Sequence, residues 1–160
     1  MKVEIKVTDE RKLLGKTMKM SYSDDKTKEL WQSFMPYRNQ ILNRKSEDLI
    51  SMQVFPYDMQ MGDIFHEYEK WAVVEVNDFE DIPEGMQAFL MEAGLYAVFY
   101  YKGLSSDKSV FYYIFTDWLP KSEFELDNRP HFEVLGAKYK NNDTESEEEI
   151  WIPVKPKSCK

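Results

Sequence analysis

Arg129-Pro130-His131-Phe132-Glu133-Val134-Leu135-Gly136, followed after a polar turn by Glu148-Glu149-Ile150-Trp151-Ile152-Pro153-Val154, sets one carboxylate inside an otherwise apolar strand pattern. Side chains alternate across a strand, so Phe132 and Val134 belong to one face and His131, Glu133 and Leu135 to the other. An ionised carboxylate loses several kcal/mol of solvation on burial unless a partner charge or hydrogen bonds replace the water. Glu133 therefore either faces solvent as an ordinary strand glutamate or forms the floor of a ligand site. On the second reading helices cover the Phe132 and Val134 face, and Glu133 projects from the opposite, open face.

Outward from this stretch the chain repeats itself. Trp31, Phe34 and Pro36 correspond to Phe115, Trp118 and Pro120 at one offset of 84 residues. Both segments read as helices, with caps among Ser23 and Asp24 in the first and Ser105 to Asp107 in the second, and each meets a proline that kinks or ends it. Downstream, Met52-Gln53-Val54-Phe55 matches Phe132-Glu133-Val134-Leu135, and Trp71-Ala72-Val73-Val74-Glu75-Val76 has its counterpart around Ile150-Trp151-Ile152, with the offset near 80. Two strand-helix-strand-strand units result, an α+β pattern in which one sheet is assembled from both halves. Residues 78–85, acidic with Pro83 and Gly85, read as the join, giving halves of about 1–82 and 83–156 within a single domain over 1–160. Tyr57 to Glu69 reads as a long loop. Gln53 occupies the position of Glu133, so the repeat is chemically asymmetric.

Composition bounds what such a fold can do. The 160 residues are 42% hydrophobic and 31% charged, which suits a folded chain with one sizeable core. Aromatics make up 15%, enough both to fill a core and to line a pocket for a flat or cationic molecule. A net charge of −8, with no helix-turn-helix, zinc-finger spacing or Gly-rich phosphate loop, argues against direct nucleic-acid binding. The acidic run from Asn141 to Glu149 lacks the spacing and central glycine of a calcium loop, and no cofactor or metal site is expected. Cys159 is the lone cysteine, which rules out an intrachain disulfide and suits a reducing compartment. No stretch approaches membrane-spanning length, so no membrane contact and a cytoplasmic location are expected.

Trp118-Leu119-Pro120, Phe124-Glu125-Leu126-Asp127, the Arg129 to Gly136 strand and Glu149-Ile150-Trp151-Ile152-Pro153-Val154 together resemble the GyrI-like, or effector-binding, domain, found alone and at the carboxyl end of AraC-type and MerR-type transcription regulators. The likeness covers nearly the whole chain and is most specific after Gly94. It implies two pseudo-symmetric βαββ units forming an eight-stranded antiparallel sheet, with helices on one face and a ligand groove on the other. In multidrug-sensing relatives a buried glutamate attracts lipophilic cations, and Glu133 is the matching position. Strand parity adds Trp151, Phe99, Tyr101, Phe55, Gln53 and His131 as candidate groove residues, whereas Trp31 and Trp118 suit helix packing.

The expected function is a stand-alone small-molecule binder for cationic or lipophilic aromatic ligands. Two alternatives stay open: a hydrolase of electrophilic small molecules with Glu133 as general base and His131 assisting, and a gyrase-inhibitor-like protein with a protein partner. The oligomeric state and the natural ligand are not legible.

Overall fold

The computed structural model describes residues 1–158; Cys159, whose chemistry was considered above, lies outside the described residues. In chain order the elements are β1 (Lys2–Thr8), β2 (Arg11–Met20), α1 (Thr27–Phe34) with a 3-10 turn over Met35–Gln40, β3 (Leu49–Val54) and β4 (Tyr68–Glu75). The second half contributes β5 (Gln87–Met91), β6 (Gly94–Lys102), α2 (Ser109–Tyr113), a π-helical turn over Ile114–Trp118, α3 (Leu119–Lys121), β7 (Phe124–Leu126), β8 (His131–Leu135) and β9 (Glu147–Pro156). All strand pairs are antiparallel, in the order β1-β6-β9-β8-β3-β4-β2-β5. A ninth strand appears where eight were expected, because β7 pairs with the end of β9.

The first strand of each half leaves its own unit. β1 pairs with β6 of the second half and β5 with β2 of the first, while the connections Asp9–Glu10 and Glu92–Ala93 are only two residues long. Those short links tie opposite edges of the sheet together and bend it, so that Tyr96 on β6, whose hydroxyl donates to the Pro130 carbonyl at 2.7 Å, lies 4.0 Å from Met91 Sδ on β5. The halves meet at β3 and β8, where Met52 lies opposite Phe132 and Ser51 opposite Glu133.

The helices follow from their apolar spacing. Leu30 and Phe34 sit one turn apart and are fully buried; Val110 of α2 and Ile114 of the π turn repeat that spacing. Asp25 accepts the Thr27 amide at 2.9 Å and Asp107 the Ser109 amide at 2.9 Å, each from the residue before the N-cap; the N-caps are Lys26 and Lys108, which make no side-chain cap bond, so the expected cap at Ser23 or Asp24 does not form. Pro120 has no N–H to return to the Thr116 carbonyl, and the helix passes through its π turn just before it.

Sheet registry corrects the expected placement of the groove. Glu133 pairs with Ile150, and Ile150 and Ile152 pack with Ala97 and Phe99 against Val110, Ile114 and Leu119 of the second helical segment. Glu133 thus shares the helix-bearing face. Phe132 and Val134 instead face a helix-free core with Leu13, Ile50, Met52, Trp71, Val98 and Trp151, which the bent sheet closes on itself. The helices cover the outer strands, α1 over Leu14, Ala72 and Val74 and the second segment over β6 and β9, and between them on the central pair β3 and β8 lie the polar residues Ser51, Gln53 and His131, themselves buried.

Candidate functional site

Four side chains from the central strands project into the stripe between the helices. Ser51 and Gln53 come from β3, His131 and Glu133 from β8, and registry sets Ser51 beside Glu133 and Gln53 beside His131. Gln53 Nε2 donates to Glu133 Oε1 at 3.3 Å and to Ser51 Oγ at 3.4 Å. Among the described residues, no Lys, Arg or His nitrogen approaches the Glu133 carboxylate within 4.0 Å.

Burial is what shapes the chemistry of this carboxylate. Desolvation pushes Glu133 up to about 7 and Glu148 of β9 adds repulsion, outweighing the opposing pull of Lys70, Lys108 and the Gln53 amide. Near neutral pH it is therefore poised between its two protonation states. Glu148 is itself raised by burial, against the attraction of Lys108 and Lys70. His131 goes the other way: burial alone drops it to about 3, so it stays neutral.

Aromatic rings border the polar stripe. His131 meets the Phe55 ring edge-on at 4.9 Å and Phe115 of the π turn at 6.1 Å, while Phe55 lies 5.0 Å from Tyr68, which lies 5.2 Å from Tyr22. A ladder of rings from both halves therefore runs beside Gln53 and Glu133.

Gln53, Glu133, His131 and Phe55 are brought together as the sequence suggested. Phe99 shares their face but is buried beneath the second helical segment, edge-on to Trp118 at 5.0 Å. Tyr101 lies further along β6, its hydroxyl bonded to the Leu104 carbonyl at 2.8 Å. Trp151 does not share the Glu133 face: it stacks on Phe132 at 5.0 Å in the helix-free core, because residues 150 and 152 are the ones that face the helices.

Sequence reasoning missed Lys70, Glu148, Tyr68 and Phe115. Lys70 carried a usable signal, since it has the parity of Ala72 and Val74, which pack under α1. An open depression of about 380 Å³ is lined by Tyr101, Lys102, Val134, Gly136 and Glu148. A second, of about 430 Å³, lies between Met1, Tyr100 and Tyr113. Neither is lined by Glu133 itself. No helix is long and apolar enough to cross a membrane, and no cluster of metal-ligating side chains occurs among the described residues.

Comparison with known structures returns the same architecture. The chain is similar to SAV2435, solved bound to tetraphenylphosphonium, at 17% identity and a TM-score of 0.68, covering 97% of this chain and 94% of that one. The carboxyl-terminal domain of EcmrR matches at 14% identity and a TM-score of 0.69 over 97% and 98% of the two chains. A hydrolase from Listeria innocua matches at 12% identity and a TM-score of 0.63 over 96% and 92%. Identities this low carry the fold alone. No curated protein matches the chain. The family model of the GyrI-like small molecule binding domain matches residues 1–155, and the chain belongs to that family.

Proposed function

We propose that the stripe between the two helices binds an aromatic small molecule bearing a cationic group, with Glu133 as its charge anchor. The observation that carries this is a carboxylate in the stripe between the helices, pushed up to about 7 by burial, with an amide as hydrogen-bond partner and, among the described residues, no basic group in ion-pairing reach. A bound cation relieves that unpaired state, whereas a neutral ligand leaves it unchanged. The rings of Phe55, Tyr68 and Phe115 supply apolar contact beside the charge. SAV2435, which shares the fold, holds tetraphenylphosphonium, a cation of this type. Titration with tetraphenylphosphonium near pH 8 tests the reading. Binding that weakens about tenfold or more in Glu133→Gln supports it, as does uptake that releases a proton near pH 7. Equal affinity in wild type and variant sinks it.

A hydrolytic reading draws on two observations: Glu133 has the protonation range of a general base, and the Listeria hydrolase shares the fold. His131, neutral and packed between Phe55 and Phe115, does not relay protons near pH 7. Turnover of an epoxide or ester probe, lost in Glu133→Gln, would favour catalysis.

A further inference from the structure

The groove floor has a positive end as well as a negative one. Lys70 of β4 lies opposite Gln53, and its ammonium donates to Thr27 Oγ1 at the start of α1 at 3.0 Å. Among the described residues no carboxylate comes within 4.0 Å of it. Burial disfavours its charge, the carboxylates of Glu133, Asp25 and Glu148 favour it, and Lys108 at the head of α2 opposes it from an exposed position. Through the internal repeat, Gln53 corresponds to Glu133 and Lys70 to Ile150, both at an offset of 80 residues. An ammonium therefore stands in the first half without a match in the second, and a carboxylate in the second without a match in the first. The two are separated by β3: Lys70 shares a register row with Gln53 and His131, and Glu133, to which Gln53 donates, stands two residues further along β8, so their backbones lie roughly 12 Å apart.

We propose that the groove takes a dipolar ligand: an aromatic molecule whose anionic group pairs with Lys70 and whose cationic group pairs with Glu133. This rests on the small-molecule reading above and sharpens it, making Lys70 the residue that decides between a plain cation and a zwitterion. A lipophilic monocation satisfies Glu133 but leaves the half-buried ammonium with only the Thr27 hydroxyl and places a like charge near it. A ligand carrying both signs satisfies both ends, and the rings of Phe55 and Tyr68, 5.0 Å apart, flank the Lys70 and Gln53 end on the side away from Glu133.

A matched pair of fluorescent probes separates the two cases: a rhodamine methyl ester, which is a cation, and the corresponding free acid, which is a zwitterion. Wild-type protein is expected to bind the acid about tenfold more tightly than the ester, a difference one charge-assisted pair supplies. Lys70→Met reverses that order, and Glu133→Gln weakens both dyes. Lys70→Gln, which keeps a donor for Thr27, serves as a second variant and must lower the acid-to-ester ratio in the same direction. An ester bound as tightly as the acid, with a ratio indifferent to both Lys70 substitutions, overturns the dipolar ligand and leaves the small-molecule reading intact. Failure of both dyes to bind folded wild-type protein at millimolar concentration overturns both readings; binding of the ester alone overturns only the dipolar one.

Discussion

On the helix-free face, Trp71 and Trp151 stand 80 residues apart, and each turns its indole N–H to the glutamate two places earlier, Glu69 at 3.4 Å and Glu149 at 2.9 Å. On the helix face the same offset takes Gln53 to Glu133 and Lys70 to Ile150. One face keeps the repeat's chemistry and the other breaks it. A core shared by both halves makes the same demand of each, since Met52 and Phe132 pack across the join into one cluster. On the helix face, under the proposed dipolar reading, unlike ends would give a bound molecule a direction.

The contrast is sharpened most by cutting into the repeated face. Phe132 is fully buried, stacked on Trp151 at 5.0 Å and edge-on to Tyr96 at 5.3 Å. Phe132→Ala is expected to cost about 3–5 kcal/mol and Met52→Ala about 2–5, by urea denaturation. Similar losses at the two positions would mark a core shared evenly; a loss under about 1 kcal/mol at either would show that half to be mere lining.

Glu133→Gln makes the groove floor symmetric by giving both halves an amide, and its effect is a pH profile. In the fold Glu133 holds its proton up to about pH 7, against an ordinary value of 4.5. Its contribution to stability is therefore whole below 4.5 and fades as pH rises to 7. His131 is neutral in the fold down to about 3, against an ordinary 6.5, so its contribution is whole above 6.5 and fades as pH falls. Between 4.5 and 6.5 the two slopes oppose each other. The variant should be more stable than wild type by about 1–3 kcal/mol near pH 8 and should lose that advantage toward pH 4.5, exposing the His131 slope. Parallel stability profiles for the two proteins would mean that burial does not hold the Glu133 proton.

Much of this was legible in the chain. The repeat at offsets of 84 and 80 announced two βαββ units, since a buried strand or helix face needs apolar residues at fixed spacing and the spacing survives in the text. Glu133 stood out for the opposite reason, as a charge where that spacing asks for none. Which face the helices cover was misread, because alternation states that Phe132 and Glu133 point apart without stating which of them meets α2. Only the pairing of Glu133 with Ile150 decides that. Trp151 does lie opposite the helix-facing Ile150 and Ile152, and the same ambiguity is what grouped it with Glu133. Lys70 went unnoticed because one lysine in a strand usually marks solvent, and its burial arises from Thr27, 43 residues away in sequence.

The smallest expected effect probes how closely the repeated face is in fact repeated. Each tryptophan's indole N–H has a glutamate as acceptor, but the bond to Glu149 is 2.9 Å and that to Glu69 is 3.4 Å, the longer one near the limit of useful geometry. Glu149→Ala should cost about 0.5–1.5 kcal/mol, the range for one typical intramolecular hydrogen bond, and Glu69→Ala less. Thermal melts of both variants, read beside the intrinsic fluorescence, check the order. Equal losses would extend the equivalence of the halves from packing to hydrogen bonding. A larger loss at Glu69 would mean that the first half leans on its tryptophan more than the distances imply, and the two indoles would then be alike in position but not in what they hold.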